Sequence, residues 1–177
     1  GYRPAAIMEF GTGCEKVCDF CLRWRIEGVK EKLIDMELTE KDLINIKEQT
    51  IMFIDNDFLA SEEKIISFLN IGKNLKLRKN YIMYGSVKGV ITYEKYLNKL
   101  SELGLKAFLI GYETFSDDEL SAYHKKSSTD DNFKASEILR KHKIDVWASF
   151  MAHPDWDKNN FKSLRKYIKK LKPQITT

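Results

Sequence analysis

Cysteine disappears from this sequence after residue 21: all three thiols of the 177 residues fall in the stretch "GCEKVCDFC". An odd, clustered set cannot close the evenly paired framework of a small secreted domain, so reduced, metal-bound thiols are expected. Proline (3) and glycine (9) are scarce, which excludes collagenous and low-complexity chains. No apolar run approaches the roughly 18 residues of a membrane-spanning helix, so no membrane partner is expected. Charge of one sign is lacking too: 30 basic against 26 acidic residues give a formal +4. That excess is small and dispersed, which speaks against a nucleic-acid partner, and lysines in stretches such as "KSLRKYIKKLKPQ" read as solvated helix faces. The chain opens on Gly1 with no secretory or transit signal, and it reads as a piece of a longer protein.

What is present is 43% apolar and 32% charged residues, the make-up of a folded domain, and the length suits one domain over residues 1–177. Short continuous apolar runs ("AAIMEF", "TIMFID", "YIMYGS", "KAFLIGYE", "IDVWASFM", "QITT") alternate with helical stretches, as in parallel sheets buried on both faces. Thr39 with Asp42 and Ser61 with the acids behind it are expected helix starts, and Ser116 with Glu119 is expected to form a capping box. Thr92 is expected to begin a helix carrying Leu97, Leu100 and Leu103, which Gly104 ends. An amphipathic segment follows from Asp130 to His142, and Asp157 opens a last helix closed by Pro173. The expected fold is α/β, a partial (βα)6 TIM-like barrel with a parallel sheet, truncated at the last strand, with further polypeptide expected after Thr177. In such barrels the working groups sit on the loops at the C-terminal ends of the strands.

Cys14, Cys18 and Cys21 fall on the first of these loops at spacing C-x3-C-x2-C. Thiolates select zinc, cuprous copper or iron-sulfur clusters. A structural zinc site usually draws four ligands as two separated pairs; no second pair exists, and His124, His142 and His153 lie far along the chain. A four-iron cluster held by three cysteines leaves one iron open to a small molecule.

The C-x3-C-x2-C spacing, with Phe20 before its last cysteine on the loop after a first strand, resembles the radical S-adenosylmethionine (radical SAM) enzymes. The likeness is closest to radical SAM domains that commonly follow a cobalamin-binding domain, where stretches similar to "RPAAI", "FIDNDF", "GYETFSDDEL" and "ASFMAHPDW" recur. The resemblance implies a [4Fe-4S] cluster on Cys14, Cys18 and Cys21. It further implies reductive cleavage of S-adenosylmethionine to a 5'-deoxyadenosyl radical, an electron donor such as flavodoxin or ferredoxin, and cobalamin held by a domain outside these residues.

It also implies positions for the SAM contacts: Phe20 against adenine, one of Asp55, Asn56 and Asp57 on the methionine ammonium, Glu113 on the ribose, and Lys125 on the carboxylate. Ser86 stands where many relatives carry arginine, with Lys88 where an acid commonly follows; a serine can bond ribose or carboxylate only weakly. His153 is a candidate to touch substrate, with a structural loop role as its alternative. Trp24 and Arg25 either shield the cluster loop or pack. The expected function is a radical SAM enzyme core, with a cobalamin-dependent methyltransferase as the favoured subtype, and the alternative is a zinc-binding, non-enzymatic module contacting RNA. Oxygen-sensitive chemistry and unpaired thiols point to the cytoplasm.

Overall fold

The computed structural model describes residues 5–177; Arg3 and Pro4 of "RPAAI" lie outside the described residues. Strand β1 (Ala5–Met8) leads to β2 (Gly11–Thr12), α1 (Arg23–Glu27), β3 (Lys32–Leu33) and α2 (Met36–Asn45). Then follow β4 (Thr50–Phe53), α3 (Glu62–Leu75), β5 (Asn80–Gly85), α4 (Val87–Thr92), α5 (Glu94–Leu103) and β6 (Leu105–Glu113). The chain continues through α6 (Asp117–Ala122), α7 (Thr129–Lys141), β7 (Asp145–Phe150), α8 (Lys158–Leu171) and β8 (Ile175–Thr176).

Six strands form one parallel sheet in the order β1-β4-β5-β6-β7-β8, while β2 and β3 pair as a separate antiparallel hairpin. Each new strand is added on the same side of the last. With right-handed crossovers this keeps the helices on one face, the winding of a TIM-like barrel rather than of a doubly wound sheet. The chain supplies six strands of such a barrel.

Register explains the core. Phe53, Met83, Phe108 and Val146 are cross-strand partners in one row, and all four are fully buried. Helix α3 meets this layer with Ile65, Phe68 and Ile71, at the spacing that keeps them on one helix face. Phe10, Phe53, Phe58, Phe68 and Tyr81 pack edge to face and stacked around them, with centroids 5.1 to 6.4 Å apart. Each such ring contributes roughly 1.5–3 kcal/mol by burial.

Two expected helix starts and one expected capping box are corrected. Asp35, not Thr39, caps α2: its carboxylate accepts from Glu37 N and Leu38 N, and Thr39 sits buried inside the helix. Thr92 does not begin a helix but ends α4, whose cap is Ser86; α5 starts two residues later at Glu94. Ser116 does cap α6, but Glu119 does not reach back to complete a capping box. Its carboxylate accepts from Thr114 Oγ1 and Trp156 Nε1 instead. Ser61 and Asp157 cap α3 and α8 as expected.

Candidate functional site

The cysteine loop runs between β2 and α1. Gly13 opens it at φ +85°, with a Cβ there falling 2.1 Å from the Lys30 carbonyl oxygen, so only glycine fits. Cys14 N donates to Gly28 O (3.1 Å), Gly13 N to Glu27 Oε2 (3.2 Å), and Trp24 Nε1 to Cys18 O (3.1 Å). The loop is therefore pinned by α1 and its C-cap. Cys18 is buried and Cys14 and Cys21 are half-buried. All three line a cavity of about 450 Å³. Burial pushes the Cys14 and Cys18 thiols above their ordinary value, while Lys16 beside Cys14 and Lys125 near Cys18 pull the other way.

The segment after β4 forms one wall. Asp57, 3% exposed, ion-pairs with Lys16, whose ammonium also donates to Ser86 Oγ at 2.7 Å. Ser86 Oγ in turn donates to Asp57 Oδ2 (2.7 Å) and accepts from Gly89 N (3.0 Å), so one hydroxyl caps α4 and joins this cluster. Asn56 accepts from Arg23 Nε (2.5 Å) and donates to Glu27 Oε2 (2.6 Å). Asp55 is engaged differently: it is fully buried, accepts from Phe10 N (3.1 Å) and pairs with buried Lys64 at 2.8 Å.

The opposite wall comes from the end of β6. Glu113 has φ +64° and its neighbours close a Thr114 N to Tyr112 O hydrogen bond of 2.8 Å, a three-residue turn that is rare and strained for a side-chain-bearing residue. The turn coincides with the register shift between Gly111 and Glu113. It aims the carboxylate at Lys125 Nζ, 2.8 Å away. Phe20 lies 5.7 Å edge to face from Tyr123, with the Lys125 ammonium 5.8 Å from its centroid.

Ten expected residues thus line one cavity: Cys14, Cys18, Cys21, Phe20, Asp55, Asn56, Asp57, Ser86, Glu113 and Lys125. His153 is outside that lining, half-exposed, with Nδ1 accepting from Asp155 N at 3.2 Å. Arg25 stacks 4.9 Å over Trp24 and both flank an outer hollow beside His124. Lys88 pairs with Asp131 at 2.8 Å. Lys16 and Arg23 are cavity residues that sequence reasoning missed. A signal existed for Lys16, since a lysine between two of the clustered cysteines is held beside them by their spacing.

Three soft donors on one loop, beside paired cations and anions, suit an iron-sulfur cluster with a charged organic ligand. Among the described residues no three His, Cys, Asp or Glu side chains are grouped to hold one metal ion.

A family model described as the radical SAM superfamily matches residues 8–168. Hopanoid C-3 methylase of Methylococcus capsulatus is 30% identical over 97% of this chain and 33% of its own length. The chain thus spans about a third of that curated relative. Among solved structures, the radical S-adenosylmethionine methyltransferase TsrM of Kitasatospora setae, with cobalamin and a [4Fe-4S] cluster bound, superposes with a TM-score of 0.79 at 13% identity, over 97% of this chain and 36% of that one. The cobalamin-dependent S-adenosylmethionine radical enzyme OxsB gives 0.76 at 18% identity, over 93% and 26%. These two likenesses show the fold.

Proposed function

The chain belongs to the radical SAM superfamily, and from that premise we propose that it forms the cluster- and SAM-binding core of a radical SAM enzyme. The observation that carries the reading is the opening of all three cysteines onto one cavity walled by two ion pairs, Lys16–Asp57 and Lys125–Glu113. Cys14, Cys18 and Cys21 would hold the cluster. When bound, a [4Fe-4S] cluster with an open iron supplies the electron that cleaves S-adenosylmethionine to methionine and a 5'-deoxyadenosyl radical.

The chain's own residues bind, orient and shield. An amino-acid zwitterion brings one ammonium and one carboxylate, and the cavity holds acceptors and donors for both. Asp57 and Asn56 would accept from the ammonium, and Lys125 and Lys16 would donate to the carboxylate. Glu113 would accept from ribose hydroxyls and Phe20 would cover adenine. Each wall charge has a partner within the chain, so none is buried alone, and a zwitterion would bind by exchanging partners. Asp55 supports the wall from beneath through Lys64 rather than by facing the ligand.

The subtype we propose is a cobalamin-dependent methyltransferase, with cobalamin held by polypeptide outside these residues and electrons from a flavodoxin or ferredoxin. The methylase relative and the two cobalamin-bound structures support it. Cobalamin analysis of the full-length protein tests this part: absence of the corrinoid after reconstitution reduces the reading to a radical SAM core of another subtype.

The core reading is tested by anaerobic reconstitution with iron and sulfide analysis and electron paramagnetic resonance, before and after SAM, on wild type and Cys18→Ala. About four irons per chain and a signal that changes with SAM are expected for wild type, with both lost in the variant. Zinc-loaded, iron-free protein overturns it.

A further inference from the structure

Helix α8, "KNNFKSLRKYIKKL", carries a feature that the cavity does not use. Residues 158–172 contain seven of the chain's 30 basic residues and no acid, so the remainder of the chain, +4 less these seven, is net negative. At 3.6 residues per turn, Lys158, Lys162, Arg165, Lys166, Lys169 and Lys170 fall within an arc of about 140°. Leu164, Tyr167, Ile168 and Leu171 occupy the other side; Leu171 is buried and Tyr167 packs 4.8 Å from Phe133.

All six cations are exposed. Among the described residues none of them has an ion-pair partner, and Lys170 alone has a neighbour of note, the Phe133 ring at 4.3 Å. Three other helices each carry a paired lysine. Lys88 of α4 pairs with Asp131, Lys95 of α5 with Glu62, and Lys141 of α7 with Glu94. Phe161, 51% exposed, lies at the margin of the cationic arc.

We propose that the lysine face of α8 is a docking surface for an anionic lipid bilayer. No helix among the described residues is long and apolar enough to cross a membrane, and contact at a lipid surface does not require one. A row of lysines on a polar helix face with an aromatic at its edge is the pattern of peripheral attachment, each cation near an anionic surface adding attraction that salt weakens. RNA is the competing polyanion, and the composition argues against it. Five of the six cations are lysines, strongly hydrated point charges; planar arginine forks and rows of stacking aromatics, the means of RNA recognition, are nearly absent from this face. The surface is also a single convex helix rather than a groove that tracks a strand.

The test is co-sedimentation of the full-length protein with phosphatidylcholine vesicles, with and without about one third phosphatidylglycerol, at low and high salt, beside a fluorescence titration with a single-stranded RNA oligonucleotide. The variants are Lys162→Gln/Lys166→Gln/Lys169→Gln and the charge-keeping Lys162→Arg/Lys166→Arg/Lys169→Arg, all at exposed positions. Binding that requires phosphatidylglycerol, weakens with salt, falls about a hundredfold in the glutamine variant and persists in the arginine variant is expected. No binding to the anionic vesicles, equal binding by the glutamine variant, or RNA binding through these lysines without vesicle binding overturns the proposal.

Discussion

At the scale of single residues, the two aspartates that flank Asn56 have different duties, and mutation separates them. Asp55 and Lys64 are a buried pair at 2.8 Å, both under 3% exposed. Lys64 also donates to the Asp57 carbonyl at 3.3 Å and meets Glu31 at 3.2 Å. Removing one partner leaves the other charge buried alone. Lys64→Met is therefore expected to lower unfolding stability by about 3–5 kcal/mol, read by urea titration of the protein without cluster; an unchanged midpoint would show that the pair carries no weight. Lys16 is a third exposed in its pair with Asp57, and on its loss the Asp57 carboxylate keeps hydrogen bonds from Ser86 Oγ (2.7 Å) and Leu59 N (3.0 Å), so the fold loses less. Lys16→Met should keep its iron and melt near wild type, yet bind SAM roughly tenfold more weakly by equilibrium dialysis, because the charge-assisted bond proposed to the carboxylate would be gone. Wild-type affinity in that variant would remove Lys16 from ligand recognition.

Two glycines make the corresponding point for elements. Gly13 cannot accept a side chain: a Cβ would strike backbone at 2.1 Å and φ is +85°, so Gly13→Ala must rebuild the loop that presents Cys14. Iron content after reconstitution is expected to fall below half, a threshold of about two irons where four are bound. At Gly111 a Cβ would lie 2.2 Å from Glu113 Oε1 and 3.3 Å from Lys125 Nζ, the far ends of two flexible side chains. Gly111→Ala is thus expected to fold and load iron normally while displacing that pair and weakening SAM binding about tenfold; equal loss of iron in both variants would contradict this division.

The same elements show what was legible beforehand. Strands β4 to β7 and helices α3, α7 and α8 were readable because their signals are local, apolar runs and capping side chains within a few residues. Helix α1 has no buried residue and no capping side chain, and β2 and β3 are two residues each, so neither period nor cap announces them. Asp35 outcompetes Thr39 as a cap because its charged carboxylate already satisfies two amides one turn earlier. The cysteines were readable from their spacing and the other cavity positions only through the family resemblance, whereas the Lys16–Asp57–Ser86 cluster joins residues 41 and 70 apart in sequence, a relation that only the sheet order supplies.

For the whole molecule, the parts differ in what should hold them shut. The core strands β5, β6 and β7 pair on both edges and bury Met83, Phe108, Ile110 and Val146 completely; their amides exchange only when the sheet opens globally. The cysteine loop has few backbone bonds of its own and an exposed apolar margin at Leu22 and Ile26, the latter 78% exposed. It is tied to the segment after α6 by Asp19 N to Tyr123 O (3.4 Å) and Asp19 to His124 Nδ1 (2.7 Å). Local opening of this margin is therefore expected to dominate exchange in the protein without cluster. A cluster that binds only when all three cysteines converge stabilises the closed state by mass action. Hydrogen exchange read by mass spectrometry should then slow in residues 13–28 on cluster loading, and through the Asp19 ties also in 122–126, while peptides of β5 to β7 stay unchanged. SAM added to the loaded protein should extend protection to 55–58 and 111–114, the two walls of the cavity. Slowing confined to residues 14–21 would mean that the loop closes without engaging its neighbours, and uniform slowing across the sheet would mean that the cluster is a global staple rather than the lock of one rim.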